Sequence, residues 1–264
     1  MDKRLDVYLV ENGYARSRER AKSLIKSRGV LINSKPASKP SQTVGESDAV
    51  TLTAQDLEYV GRGALKLIKA FEAFEIDVSG MVCADIGAST GGFTEVLLEK
   101  GALKVYAVDV GHGQLDRGLA EDSRVVNCEG VNARELTRGF FKEQVRFISV
   151  DVSFISLKLV MKALSDCADN GGIFAVLIKP QFEAGRGALN KKGVVKDKKA
   201  HKSVLKDITS FFNECGLSVS GLTFSQIKGS DGNIEYLACL TKKDEIKNTD
   251  IDVDLIVDDA FNSL

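Results

Sequence analysis

The chain has 264 residues, 44% hydrophobic and 28% charged, with a formal net charge of -1; that is enough apolar material for a core and a length between one and two domains. Its greasiest run, Gly171 to Ile178, has the length of a strand and stops at Lys179, and it opens on Met1-Asp2-Lys3-Arg4 rather than an apolar leader core, so neither export nor membrane insertion is expected and the expected location is cytoplasmic. Five scattered cysteines and only two histidines, His112 and His201, argue against a disulfide framework and against metal chemistry, which leaves carboxylates, lysines or a cofactor for any catalysis.

The charge is unevenly spread: residues 1–52 carry ten Lys or Arg against six Asp or Glu, while the segment after Leu240 is dominated by acids. A basic head suggests a polyanion partner. Leu5, Tyr8 and Leu9 at i, i+3, i+4 spacing predict a first helix, with Gly13 placed to end it. Ser17 is placed to cap a second helix, whose stripe is Ala21, Leu24 and Ile25 and whose end is Gly29. Arg18, Lys22 and Lys26 recur at i+4 on the other side, laid out as a phosphate-contacting face; an ordinary solvated face is the plainer alternative. Val30 to Ile32 then reads as a strand closed by Asn33-Ser34, with Val50 to Leu52 as its partner. Through Arg4-Leu5-Asp6, Ser17-Arg18, Ala21, Leu24-Ile25, Gly29-Val30 and Ile32-Asn33 this module resembles the S-four-type RNA-binding domain. That resemblance implies RNA contacts at Arg4, Arg16, Arg18, Arg20, Lys22 and Lys26, with Arg62 added from the connector.

A boundary is expected between residues 54 and 55. Leu65, Ile68 and Phe71 share one helix face, and strand candidates follow at 82–86, 105–108, 124–127, 145–150 and 173–178. Their alternation with helical segments predicts an α/β domain, a parallel sheet with helices on both faces. The first strand runs into Asp85-Ile86-Gly87-Ala88-Ser89-Thr90-Gly91-Gly92-Phe93, and the second ends at Asp109, where a carboxylate can accept from ribose hydroxyls. The dinucleotide pattern G-x-G-x-x-G is absent. The loop instead resembles the S-adenosylmethionine loop of Rossmann-like methyltransferases, which implies cofactor contacts at Asp85, Gly87, Ser89, Thr90, Gly91, Gly92, Phe93, Asp109 and Val110. Asn132, after the third strand, is the candidate partner for the adenine, although a loop Asn is often a turn residue only.

Four ionisable residues stand at element ends: Lys66, Asp151, Lys179 and Glu235. Each alone reads equally as a solvated charge. In this order they resemble the Lys-Asp-Lys-Glu tetrad of FtsJ-like 2′-O-ribose methyltransferases. Together with Tyr59-Val60-x-Arg62-Gly63-x-Leu65-Lys66, Asp151-Val152-Ser153-Phe154-Ile155 and the N-terminal module, they make the whole chain similar to the TlyA family. That resemblance implies a Rossmann-like domain with a mostly parallel seven-stranded sheet over residues 55–264, a small α+β RNA-binding domain over 1–54, and cytidine 2′-O-methylation of ribosomal RNA or ribosomal subunits. Lys66 is then expected beside Lys179 as a neighbouring cation, with Asp151 and Glu235 orienting the pair. The segment from Gly185 to Lys202 reads either as a mobile RNA-gripping loop or as a solvated connector. A non-catalytic RNA-binding protein and, from the family's older hemolysin label, a membrane-lytic protein are the competing readings; the oligomeric state is not expected to be legible.

Overall fold

The computed structural model describes residues 3–12, 14, 15, 18–26, 29–45, 48–52, 59–229 and 231–264. It divides into two compact units, Met1–Val60 and Gly61–Leu264, six residues beyond the expected boundary.

The first unit contains β1 (Lys3–Arg4), α1 (Leu5–Glu11), α2 (Arg18–Lys26), β2 (Val30–Ile32), β3 (Lys35–Pro36), β4 (Thr43–Val44) and β5 (Val50–Leu52). Leu5, Leu9, Ala21, Leu24 and Ile25 from the two helices pack with Val30, Ile32, Val44 and Val50 from the strands, so the apolar stripes face one core. Asn33 and Ser34 have φ of 49° and 66°, the two positive values that a two-residue hairpin turn requires. They return β2 into β3, and β5 pairs with the other edge of β2, Val30 opposite Leu52. The α1 helix stops at Glu11, with Asn12 as its cap; Gly13, Arg16 and Ser17 lie outside the described residues.

The second unit runs α3 (Ala64–Phe74), β6 (Val82–Ile86), α4 (Gly92–Glu99), β7 (Lys104–Asp109), α5 (Arg117–Ala120), β8 (Val125–Glu129), β9 (Phe147–Val150), α6 (Met161–Cys167), β10 (Ile173–Ile178), α7 (Pro180–Glu183), α8 (Lys198–Glu214), β11 (Leu217–Phe224), β12 (Tyr236–Lys242) and α9 (Val253–Ser263). Its seven strands form one sheet in the order β11-β12-β10-β9-β6-β7-β8, all running the same way except β12, which is antiparallel to both its neighbours. The central strands are nearly continuous apolar runs, interrupted by Asp85 in β6 and Ser149 in β9, because helices cover both faces. Chain order reverses between β6 and β9, and the crevice outside the carboxyl ends of strands at such a point is where open α/β sheets hold ligands. β12 is antiparallel and pairs Tyr236 with Ile178, so the start of β12 also lies at that end. Among the described residues no helix is long and apolar enough to cross a membrane. The five cysteines are free, three buried and two partly so.

Candidate active site

Two cavities occupy the crevice at the carboxyl ends of β6 and β9. The larger, about 460 Å³, is lined by Asp109, Val110, Gln114, Val131, Asn132 and Ile155 among others. The smaller, about 300 Å³, is lined by Arg62, Lys66, Thr90, Phe93, Lys179 and Glu235 among others. Gly87, Ser89, Asp151, Ser153 and Phe154 line both, so the two are one groove with two ends.

The glycine loop shapes the wall they share. Gly87 has φ of 85°, and a Cβ there would sit 2.4 Å from the Asp151 carbonyl oxygen, so only glycine lets the loops after β6 and β9 come this close. The Asp109 carboxylate accepts from the backbone N–H of Ser89 at 2.9 Å and of Gly111 at 2.7 Å, which holds it at the mouth of the larger cavity. Opposite, Glu129 accepts from the backbone N–H groups of Gln114 and Leu115. These bonds hold its carboxyl down at about 2 and fix the loop that carries Gln114 over the cavity. Asn132 lines the cavity while accepting from Arg134 N–H and donating to Glu135, so it is also a turn residue.

Two expected cofactor residues lie elsewhere. Asp85 is 0% exposed and lines neither cavity. It accepts from Thr94 Oγ1 at 2.7 Å and Ser149 Oγ at 3.1 Å. Burial pushes its carboxyl up to about 7 against those bonds, with the nearby Asp151 charge adding to the rise. Gly91 lines neither cavity either; its φ is 96° and a Cβ would meet Leu119 Cδ1 at 2.3 Å. Both act behind the loop, as its support.

At the other end the four tetrad residues converge, each from the end of a different element. Lys66 is 8% exposed, Lys179 7% and Glu235 2%, and buried charges persist only when paired. Both lysines line the same cavity, and each is paired with one carboxylate. Lys66 Nζ donates to Glu235 Oε2 at 2.6 Å, whereas Lys179 Nζ lies 2.5 Å from Asp151 Oδ1 and directs an N–H to Ser153 Oγ at 2.7 Å. Asp151 Oδ1 is buried with no aligned donor of its own. Gln181 donates from Nε2 to Glu235 Oε1 at 3.3 Å. A Cβ on Gly229 would approach that same Oε1 to 2.4 Å, so the turn before β12 needs glycine there.

Reasoning from the sequence missed Ser153, Gln181, Phe154 and Phe182. The first two were within reach, each being two residues from a tetrad member. Phe154 has φ of 64°, is 90% exposed and lies 5.3 Å from Phe182, ring centre to ring centre. An exposed aromatic in a strained backbone conformation at a cavity junction is a mark of function; only the structure reveals it.

The expected RNA residues separate. The Arg4 guanidinium bonds both carboxylate oxygens of the fully buried Asp6, at 3.0 and 3.1 Å, and Arg18 adds a third bond at 2.8 Å. The Arg4 hydrogen bonds, first, and then Arg18 outweigh burial and hold the Asp6 carboxyl far below the usual range. Arg4 and Arg18 are thus structural on one side, with about half of each side chain at the surface. Lys22 and Lys26 lie on α2, as does Arg20, whose side chain is outside the described residues. Arg16 is outside them altogether. Arg62 belongs to the second unit and lines the smaller cavity.

Among known families, FtsJ-like methyltransferases match residues 59–242 and the S4 domain matches residues 3–50. The chain is 44% identical to the 16S/23S rRNA (cytidine-2′-O)-methyltransferase TlyA of Mycobacterium tuberculosis, over 90% of this chain and 89% of that one. It is 41% identical to hemolysin A of Brachyspira hyodysenteriae, over 89% and 98%. A solved structure of a hemolysin-labelled protein from Streptococcus thermophilus superposes with a TM-score of 0.80 at 41% identity, covering 99% of this chain and 96% of that one. With a tetrad at one end of its groove, Asp109 at the other and a glycine loop along the wall between them, the chain belongs to the FtsJ-like methyltransferase family, in the TlyA group that carries an S4 domain.

Proposed function

We propose that this protein transfers the methyl group of S-adenosylmethionine to the 2′-hydroxyl of a cytidine in ribosomal RNA, acting in the cytoplasm on rRNA or ribosomal subunits. The observation that carries the reading is the convergence of Lys66, Asp151, Lys179 and Glu235 at one end of a groove whose other end is lined by Asp109, Val110 and Asn132, with the glycine loop along the wall between them. The TlyA relative supplies the choice of cytidine and of rRNA.

The larger cavity suits the cofactor. Asp109 presents a carboxylate for ribose hydroxyls, Asn132 and the apolar Val110, Val131 and Ile155 surround an adenine-sized space, and Gly87 and Ser89 bring backbone to the junction. When bound, S-adenosylmethionine supplies an electrophilic methyl carbon. The residues of this chain must then hold the hydroxyl in line and take its proton. Ser153 fixes one N–H of Lys179, and the Asp151 carboxylate beside it holds the side chain in place. Lys179, acting as the free amine, takes the hydroxyl proton as the oxygen attacks the methyl carbon. Lys66, neutralised by Glu235, keeps the floor of the cavity polar and fixed. The exposed face of Phe154 gives the target base a stacking partner, as aromatic side chains do for splayed-out nucleotides.

The test is methyl transfer from labelled S-adenosylmethionine to ribosomal subunits, followed by complete nuclease digestion. Label recovered as 2′-O-methylcytidine is the expected result; label on a base, or none, overturns the reading.

A further inference from the structure

We infer that the hairpin at residues 185–199 is a second RNA contact, a fixed set of cations on the catalytic unit that grips phosphates next to the reacting nucleotide. This rests on the RNA substrate proposed above. The stretch carries six Lys or Arg against one acid, Asp197, and that acid is spent capping α8 through Lys199 N–H.

Two observations separate this segment from a solvated connector. First, it is built. Leu189 and Val195 form a β-bridge, and Asn190 Oδ1 closes the turn by accepting from the N–H groups of Lys192 and Val194. Buried Asn233 holds it from both sides, accepting from Val195 N–H at 3.1 Å and donating to Gly193 O at 3.1 Å. Buried His201 reaches Val195 O with Nε2 at 3.0 Å and Tyr236 OH with Nδ1 at 2.8 Å. Asn233 and Tyr236 lie on either side of Glu235, so the hairpin is fastened to the segment leading into β12 that carries a tetrad residue.

Second, the lysines of this region divide into two sets. Lys198, Lys202 and Lys206 face the acidic α9 and pair with Asp254 and Asp258. Arg186, Lys191, Lys192, Lys196 and Lys199 are exposed, and among the described residues none of them has a carboxylate within ion-pair distance. The acids of the tail therefore neutralise the helix face and leave the hairpin positive. Ordered, uncompensated cations beside a site for a polyanion suit phosphate binding.

The experiment compares two triple variants of the full chain: Lys191→Gln/Lys192→Gln/Lys196→Gln on the hairpin and Lys198→Gln/Lys202→Gln/Lys206→Gln on the α9-facing set. Each removes the same charge. Affinity for purified rRNA is measured across a salt series. The hairpin variant should bind about tenfold more weakly near 0.1 M salt and show a salt slope shallower by about two, since each lost phosphate contact removes roughly 0.7 to 0.9. Affinity for S-adenosylmethionine and kcat at saturating RNA should hold. The α9-facing variant should lose less than twofold. A hairpin variant with wild-type affinity and slope overturns the inference, as does an equal loss in both, which would mean that net charge alone matters. Wild-type protein that fails to bind rRNA would sink the substrate reading along with it.

Discussion

Lys66 and Glu235 stand at opposite ends of the catalytic unit's sequence, yet Lys66 Nζ donates to Glu235 Oε2 at 2.6 Å with both side chains almost fully buried. The antiparallel register of β12, which sets Tyr236 opposite Ile178, brings Glu235 to the end of the sheet where Lys179 emerges. Removing one member leaves the other charged and unpaired, which costs about 3–5 kcal/mol at buried sites. Glu235→Leu should lose that much stability in urea denaturation. The double variant Lys66→Met/Glu235→Leu should recover most of it while remaining inactive in methyl transfer. If single and double variants are equally destabilised, the pair's role is packing and not charge compensation.

How far the sequence reached follows from which signals are local. Five parallel strands were legible because buried central strands are nearly continuous apolar runs, and Val82–Ile86, broken only by Asp85, and Ile173–Ile178 fall where those runs fall. Asn33-Ser34 was legible as a turn because few residue types tolerate its backbone. The tetrad was legible as a list through resemblance, but its pairing was not. Which lysine meets which carboxylate depends on the register of β12 and on where α3 lies, and neither is written in local spacing. Gly91 is ambiguous in the sequence for a related reason. A glycine demanded by Leu119 behind it looks in sequence like a glycine demanded by a ligand in front. The acidic tail was silent because its meaning depends on the α8 lysines it meets.

Asp85 should make stability depend on pH. Its carboxyl ordinarily titrates at 3.8 and in the fold is pushed up to about 7, first by burial. The folded state therefore holds this proton more tightly than the unfolded one. Below pH 4 the site carries no penalty; stability then falls as pH rises toward 7, and above that the cost levels off at on the order of 4 kcal/mol. Asp85→Asn keeps an acceptor for Thr94 and Ser149 without the charge. It should be more stable than wild type at pH 8 by up to that amount, and no more stable at pH 4. Denaturation curves at the two pH values check this, and a difference that does not change with pH would refute it.

Gly91→Ala should destabilise the fold itself. The residue holds φ of 96° and its Cβ would press on Leu119 and Leu115, so left-handed strain and overpacking together cost roughly 2–4 kcal/mol. Adding Leu119→Ala should relieve the clash but not the strain, and so recover only part of the midpoint lost in thermal denaturation. Full recovery would show that the backbone at this position is less constrained than its conformation implies.

Lys179 offers the sharpest test of the chemistry. Its ammonium sits between Asp151 and Ser153, buried, at the end of β10, where Pro180 restricts the backbone that aims it. Lys179→Ala should lower methyl transfer by at least about 100-fold, the usual contribution of a positioned acid or base, while leaving affinity for S-adenosylmethionine and rRNA within twofold. Lys179→Arg should fail as badly, because a guanidinium keeps its proton and its planar fork does not occupy an amine's place. Ser153→Ala frees the amine to rotate without removing it, so a loss of about tenfold in kcat with KM unchanged is expected. Single-turnover rates with saturating rRNA separate the cases. Near wild-type transfer in both Lys179 variants would exclude it as the base, whereas activity in Lys179→Arg alone would reassign this residue to holding charge near the hydroxyl and leave proton removal to Asp151.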